Sequence, residues 1–310
     1  MPESSATSSR KEFRPTSRLA PWLFVGPAVL LFTFALAAPF LYAVVLSFRG
    51  IRIRGGGLGM REEVAVGFKN YYYAATNPEL WAGFGRMLHV GVISVPVMLT
   101  FALLFALLLD SPQVRFRQVS RLAIFTPYAV PGVIASLMWG FIYLPGVSPI
   151  REAFSAAGLT PPDFFGEHAI FFSIANISIW GSVGFNMVIL YTALRGISSE
   201  LYDAARVDGC REWQIALHVK LPLLLPAVIL TGLFSLVGTI QLFSEPKTLE
   251  PLGNAISTTW VPVMLVYRDA FISMNIYMGA ATSMFVACLT VTVTLVVLKF
   301  MQRRERRKPS

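Results

Sequence analysis

The chain has 310 residues, 55% of them hydrophobic and only 14% charged, with a formal net charge of +9. A soluble globular domain carries about 25% charged residues, so this composition excludes an ordinary soluble enzyme or binding module. The two cysteines, Cys210 and Cys288, give neither a disulfide framework nor a metal-ligand spacing, so no metal site is expected.

Marking every Asp, Glu, Lys and Arg leaves six long uncharged windows: 19–48, 87–109, 122–150, 168–194, 221–244 and 270–298. Each exceeds the roughly 20 residues that a helix needs to cross a bilayer. A seventh window, 251–267, is shorter and rich in Pro, Asn, Ser and Thr, and is read as a loop. The expected fold is therefore an all-α integral membrane protein with six transmembrane helices. With the N-terminus inside, the inner segments hold 17 Lys and Arg residues and the outer segments eight. The positive-inside rule then makes both termini cytoplasmic. Sorted in this way, the positive charge marks membrane orientation rather than nucleic-acid binding.

In chain order, residues 1–18 are polar and rich in Ser, Arg and Pro, and are expected to form a disordered cytoplasmic N-terminus. Residues 19–300 form a single six-helix domain, followed by a basic cytoplasmic tail, 301–310, suited to anionic membrane lipid. Ala35-Leu36-Ala37 mimics a signal cleavage site, but the apolar run around it is about twice the usual 7–15 residues, so a retained span is expected. That first span, Ala20 to Phe48, contains Pro27 and Pro39 as expected kinks. Gly55-Gly56-Gly57 lies beside Arg52 and Arg54 but lacks the context of a phosphate loop, and reads as a flexible outer loop. Residues 66–84 are aromatic and amphipathic, as at an outer membrane interface.

Span two, Leu88 to Leu109, ends at Asp110, and a basic loop with Arg115, Arg117 and Arg121 follows. Span three opens with Pro127, Pro131 and Gly132, which break helical hydrogen bonding and point to a place inside the bundle. Span four, Ile170 to Leu194, is the most polar. Span five runs from Leu221 to Ser244, and a loop over 246–269 leads to the last span.

Between spans four and five lies a cytoplasmic segment, 195–221, which is the long charge-bearing stretch of the second half. Ser198-Ser199 with Glu200 and Asp203 suits a helix N-terminus, Ala204 and Ala205 offer a small-residue face, and Gly209 is placed as a C-cap. Such an element is either a docking site for a soluble partner or a solvated connector.

The pattern Asp203-Ala204-Ala205, Gly209, then Val219, Leu221 and Pro222 resembles the E-A-A-x-x-x-G…I-x-L-P loop of ABC importer permeases. Gly67, Asn70, Tyr71, Pro78 and Trp81, with Val266 to Phe271 (VYRDAF), resemble segments of the carbohydrate, maltose-type class. The Gly-Gly-Gly-Pro usual in that class is replaced by Thr248 to Asn254 (TLEPLGN). The resemblance covers about residues 20–300. It implies a non-catalytic permease subunit of a bacterial cell-membrane sugar importer, forming half of a translocation pathway for a di- or oligosaccharide. It further implies a homologous second permease, a dimer of ATP-binding subunits and an extracytoplasmic solute-binding protein. Cofactors are expected on the partner alone: ATP and magnesium on the ATPase. Glu200, Asp203, Ala204, Ala205, Gly209 and Pro222 are the implied ATPase-coupling residues.

Polar groups at membrane depth are candidate pathway residues, because hydrocarbon penalises them. Asn176, Trp180 and Asn186 in span four, with Gln241 and Glu245 at the end of span five, are the candidates. Amides can donate to and accept from sugar hydroxyls, and an indole face can stack on a sugar ring. The bland alternative is hydrogen bonding between helices.

The sequence contains no GxxxxGK[ST], HExxH or GxSxG, so no ATP hydrolysis by the P-loop route and no catalytic set is expected in this chain. His89, His168 and His218 lie in separate segments and read as interface or packing residues rather than bases. A permease for a non-sugar solute is the nearest alternative. An ion-driven secondary transporter would need charged coupling residues within the spans, and the six windows hold none.

Overall fold

A computed structural model describes residues 20–53, 61–111 and 113–305 of the chain. The expected disorder of residues 1–18 and the flexibility of Gly55-Gly56-Gly57 lie outside the described residues.

The first span is α1 (Ala20–Phe32), a π turn (Thr33–Ala37) and α2 (Ala38–Ser47). Proline lacks an N–H, and its ring collides with the carbonyl four residues earlier. Immediately before Pro39 the helix widens, so that the N–H of Ala38 bonds the carbonyl of Thr33. The same device precedes Pro222, where the N–H of Leu221 bonds the carbonyl of Ala216. A π turn thus absorbs the irregularity expected at Pro39, and the span runs on as one helix.

Two antiparallel strands follow, β1 (Arg49–Ile53) and β2 (Arg61–Ala65), where the sequence reading placed only a loop. Glu63 pairs with Arg49 across this hairpin and ties it to the rest of the chain through the hydroxyl of Tyr277. Helix α3 (Lys69–Thr76) is fixed by Asn70, which donates to the carbonyls of Ser47 (3.0 Å) and Arg49 (2.8 Å).

Helix α4 (Pro78–Asp110) starts at an Asn77 cap with Pro78 in the first turn. It begins well before the uncharged window because Arg86 is accommodated inside the bundle, donating to the carbonyls of Trp260 (3.0 Å) and Thr259 (3.5 Å). Helix α5 (Arg117–Phe125), a 3₁₀ turn (Thr126–Ala129) and α6 (Gly132–Tyr143) form the proline-broken region, with a bend of 94°. Helix α7 (Pro149–Ala156) lies in the next connection, and α8 (Ala169–Arg195) is the central helix.

Helices α4 and α8 form the spine. Ala102 and Ala106 on α4 face Met187, Leu190 and Leu194 on α8, so small residues on one helix receive large ones from the other. At Gly184 the approach involves backbone, since a Cβ there would sit 2.2 Å from the carbonyl oxygen of Ile124. This contact holds the broken segment against α8.

After α8 come α9 (Ser199–Val207), α10 (Glu212–Ile215), the π turn Ala216–Lys220 and α11 (Leu221–Ile240). From α10 the chain thus runs into span five without a break in the helix. Beyond α11 lie α12 (Ser244–Leu249), a 3₁₀ turn (Glu250–Leu252), α13 (Pro262–Tyr267), a π turn (Arg268–Ile272) and α14 (Ile276–Glu305). The segments read as loops, 251–267 and 246–269, are in large part core. Leu249, Trp260, Val261, Met264 and Leu265 are buried, with Arg86 satisfying the irregular backbone at Thr259 and Trp260.

Among the described residues five helical stretches are long and apolar enough to cross a membrane, or six if the bent α5–α6 pair counts as one span. The protein is a predominantly helical, multi-pass membrane protein.

Candidate functional site

Two regions collect the residues singled out in the sequence. The first is a cavity of about 420 Å³ between α4, the start of α6, α8 and the α11–α12 break. Residues 241–243 leave the helix between α11 and α12, so Gln241 and Glu245 turn toward α8 at this break. Asn186, Gln241 and Glu245 line the cavity together with Ser94, Ser182, Ser235 and Thr239. Tyr128 and Phe185 stack at 4.7 Å on its wall. Among the described residues, Glu245 is the one ionisable side chain on the lining.

Asn186 is buried, donates to the carbonyl of Ser182 (3.0 Å) and lies 3.4 Å from the sulfur of Met98. It therefore also serves as a link between α8 and α4. Asn176 and Trp180 are placed elsewhere. Asn176 donates to the hydroxyl of Tyr143 (2.8 Å), and Trp180 meets Trp139 edge to face at 6.0 Å. Neither residue lines the cavity.

The hydroxyl residues Ser94, Ser235 and Thr239 were missed from sequence. Their signal was faint because such residues also sit in apolar helices by bonding their own backbone. Ser235 donates to the carbonyl of Thr231 (2.8 Å) and Thr239 to that of Ser235 (2.9 Å).

The second region is the α9 segment. Ser198 caps the helix by accepting from the N–H of Glu200, and Glu200 and Asp203 are exposed. Ala204 is exposed and Ala205 partly so. The helix ends with Gly209 at φ +83°, with the N–H of Cys210 on the carbonyl of Ala205 and that of Gly209 on Arg206. This paired closure needs a left-handed residue, which glycine adopts without steric cost. Arg206 pairs with Asp203 (2.8 Å) and Glu212 (3.0 Å), bracing the turn from outside. Val207, Leu201, Trp213 and Leu217 leave apolar side chains exposed around it. Pro222 stands in the first turn of α11, exposed, just beyond the π turn.

Behind α9 the bundle is fastened by Lys220, whose ammonium lies 2.5 Å from Asp110 at the end of α4 and 4.7 Å over the ring of Tyr202. Burial, and then the nearby Asp110 carboxylate, push the Tyr202 hydroxyl above its usual range.

The bundle thus holds a polar cavity and carries a short, largely exposed helix, α9, at one end. Residues 98–308 match the family described as "Binding-protein-dependent transport system inner membrane component". The chain belongs to that family. The lactose transport system permease protein LacF of Rhizobium radiobacter is 30% identical, covering 97% of this chain and 100% of that one. The arabinooligosaccharides transport system permease protein AraP of Bacillus subtilis is 25% identical, covering 96% of this chain and 94% of that one. Among solved structures, a chain of a bacterial alginate ABC transporter in complex with an alginate pentasaccharide-bound periplasmic protein matches with a TM-score of 0.77. That match has 18% identity over 94% of this chain and 96% of that chain, and speaks to the fold.

Proposed function

We propose that this family member is the membrane-spanning subunit of a sugar importer, carrying a di- or oligosaccharide across the bacterial plasma membrane. The observation that carries the substrate class is the cavity. Its amides and hydroxyls can both donate to and accept from sugar hydroxyls, and the Tyr128–Phe185 pair offers aromatic surface to a ring. The relatives named for lactose and arabinooligosaccharide transport support the same reading.

In this reading the α5–α6 pair is one bent span, giving six spans with both termini cytoplasmic. The cavity is half of a pathway completed by a homologous second permease. An extracytoplasmic solute-binding protein delivers the sugar, and a dimer of ATP-binding subunits holds the ATP and magnesium. Helix α9 is the coupling helix. Its Ala204–Ala205 step admits close approach to an ATPase groove, and Gly209 turns the chain back into α10 and α11. Because Glu212 to Ile240 is one continuous helical path, displacement of α9 is transmitted into the wall of the cavity. By linkage, ATP and the solute-binding protein each strengthen the other's hold on the outward-facing state.

The test is ATP-driven uptake of labelled saccharides into vesicles containing the complex extracted with this chain. Saturable uptake of an oligosaccharide that depends on ATP is expected. Uptake confined to a non-sugar solute, or driven by an ion gradient without ATP, would overturn the reading.

A further inference from the structure

The α9 end of the bundle carries a second cavity, of about 400 Å³, that the transport reading leaves unused. Four cationic side chains line it, Arg117, Arg195, Arg206 and Lys220, against the single carboxylate of Asp110. Two of the cations are already spoken for: Lys220 by Asp110, and Arg206 by Asp203 and Glu212. Arg117 gives one donor to the carbonyl of Ser111 (2.6 Å). The Arg195 guanidinium has no ion pair or hydrogen-bonded partner among the described residues. Two guanidinium groups with spare donors thus face one cavity, as an anionic oxygen cluster requires.

The surroundings define the rest of the ligand. From Arg117 a depression passes over Phe116, just before α5, and Gln118 and Val119 in its first turn. It continues into an open groove walled by Leu122, Phe125 and Val188, with Arg121 at its edge. Leu122 is exposed, at 66% of its surface. Both walls run inward from the charged end. Val188 lies seven residues before Arg195 on α8, and Phe125 eight after Arg117 on α5, each about 10–12 Å along its helix axis. A basic pocket that opens into an apolar groove of this depth matches a phosphate diester carrying an acyl chain. A free phosphate would satisfy only the first half.

We propose that this surface is a binding site for one anionic phospholipid, with its phosphate between Arg117 and Arg195 and an acyl chain along Leu122, Phe125 and Val188. The site touches α5, α8 and, through Tyr202, the α9 helix, so the lipid fastens α9 to the bundle.

The experiment is native mass spectrometry of the full chain, extracted with its co-purifying subunits and exchanged into equal amounts of phosphatidylglycerol and phosphatidylcholine. Preferential retention of phosphatidylglycerol is expected, cut about fivefold by Arg195→Gln and more than tenfold when Arg117→Gln is added. Leu122→Asp, at an exposed position where folding is not at risk, is expected to abolish retention. Equal retention of the two lipids, or unchanged retention in Arg195→Gln, would overturn the site. Displacement of the lipid by glycerol 3-phosphate at matched concentration would replace it with a site for a soluble phosphate ester.

Discussion

Lys220 and Asp110 stand 110 residues apart in sequence, yet their charged groups meet at 2.5 Å with both side chains more than nine-tenths buried. The pair fastens the end of α4 to the start of the α11 path, where α9 rejoins the bundle. Removing one partner leaves an uncompensated buried charge, which costs about 3–5 kcal/mol, whereas replacing both by apolar residues is often neutral. Asp110→Leu or Lys220→Met alone is therefore expected to lower the thermal stability of the extracted protein sharply. The double variant is expected to recover most of the loss, as read by unfolding in detergent.

Arg86 is expected to behave as a structural cation. Arg86→Met removes the donor to the carbonyls of Thr259 and Trp260 and leaves buried acceptors unsatisfied, at about 1–3 kcal/mol. The measurable result is faster proteolysis within 253–261, with α14 left intact.

Gly184 and Gly181 lie one turn apart on α8 and make an internal comparison. A Cβ at Gly184 would meet the Ile124 carbonyl at 2.2 Å, while one at Gly181 meets nothing within 4 Å. Gly184→Ala is expected to force backbone movement between α5 and α8 and to lower stability by roughly 1–3 kcal/mol. Gly181→Ala should be neutral or slightly stabilising in the same unfolding measurement.

In the cavity, Asn186→Ala is expected to raise the half-saturation concentration for uptake about fivefold, the loss of roughly one hydrogen bond. Asn176→Ala, which removes a donor to Tyr143 outside the cavity, should leave that constant unchanged. Uptake kinetics over a saccharide concentration series distinguish the two.

Much of this arrangement was legible from charge alone. Five of the six uncharged windows fall on helices long and apolar enough to cross a membrane, because hydrocarbon excludes unpaired charge. Pro131 marked the break between α5 and α6, although not its angle of 94°, which the backbone contact at Gly184 holds in place. The windows failed where charge is satisfied internally. Arg86 lies within α4, and the segment around Trp260 reads as a polar loop until its carbonyls are seen to be met by that arginine. Asn186, Gln241 and Glu245 stood out as polar groups at membrane depth, and so did Asn176 and Trp180. Which of them face the cavity depends on helix rotation, a property of packing rather than of composition.

The α9 turn yields a prediction with a stability control. Gly209→Val places a branched side chain at φ +83°, a left-handed conformation that costs a non-glycine residue about 1–2 kcal/mol. Because the turn is exposed, the bundle should still fold while ATP-driven uptake falls to background. Yield and unfolding temperature read the first effect, and vesicle uptake the second.

Helix α9 is expected to couple this chain to an ATP-binding subunit, and co-extraction tests that coupling most directly. Tagged wild-type protein and an Ala205→Trp variant would be solubilised gently from the native membrane and their companions identified. The expected result is that the wild type brings down a P-loop ATPase and a second multi-pass permease, and the variant the permease alone. Recovery of the chain with no ATPase, or of the same ATPase with Ala205→Trp, would contradict the coupling role and reduce α9 to a connector.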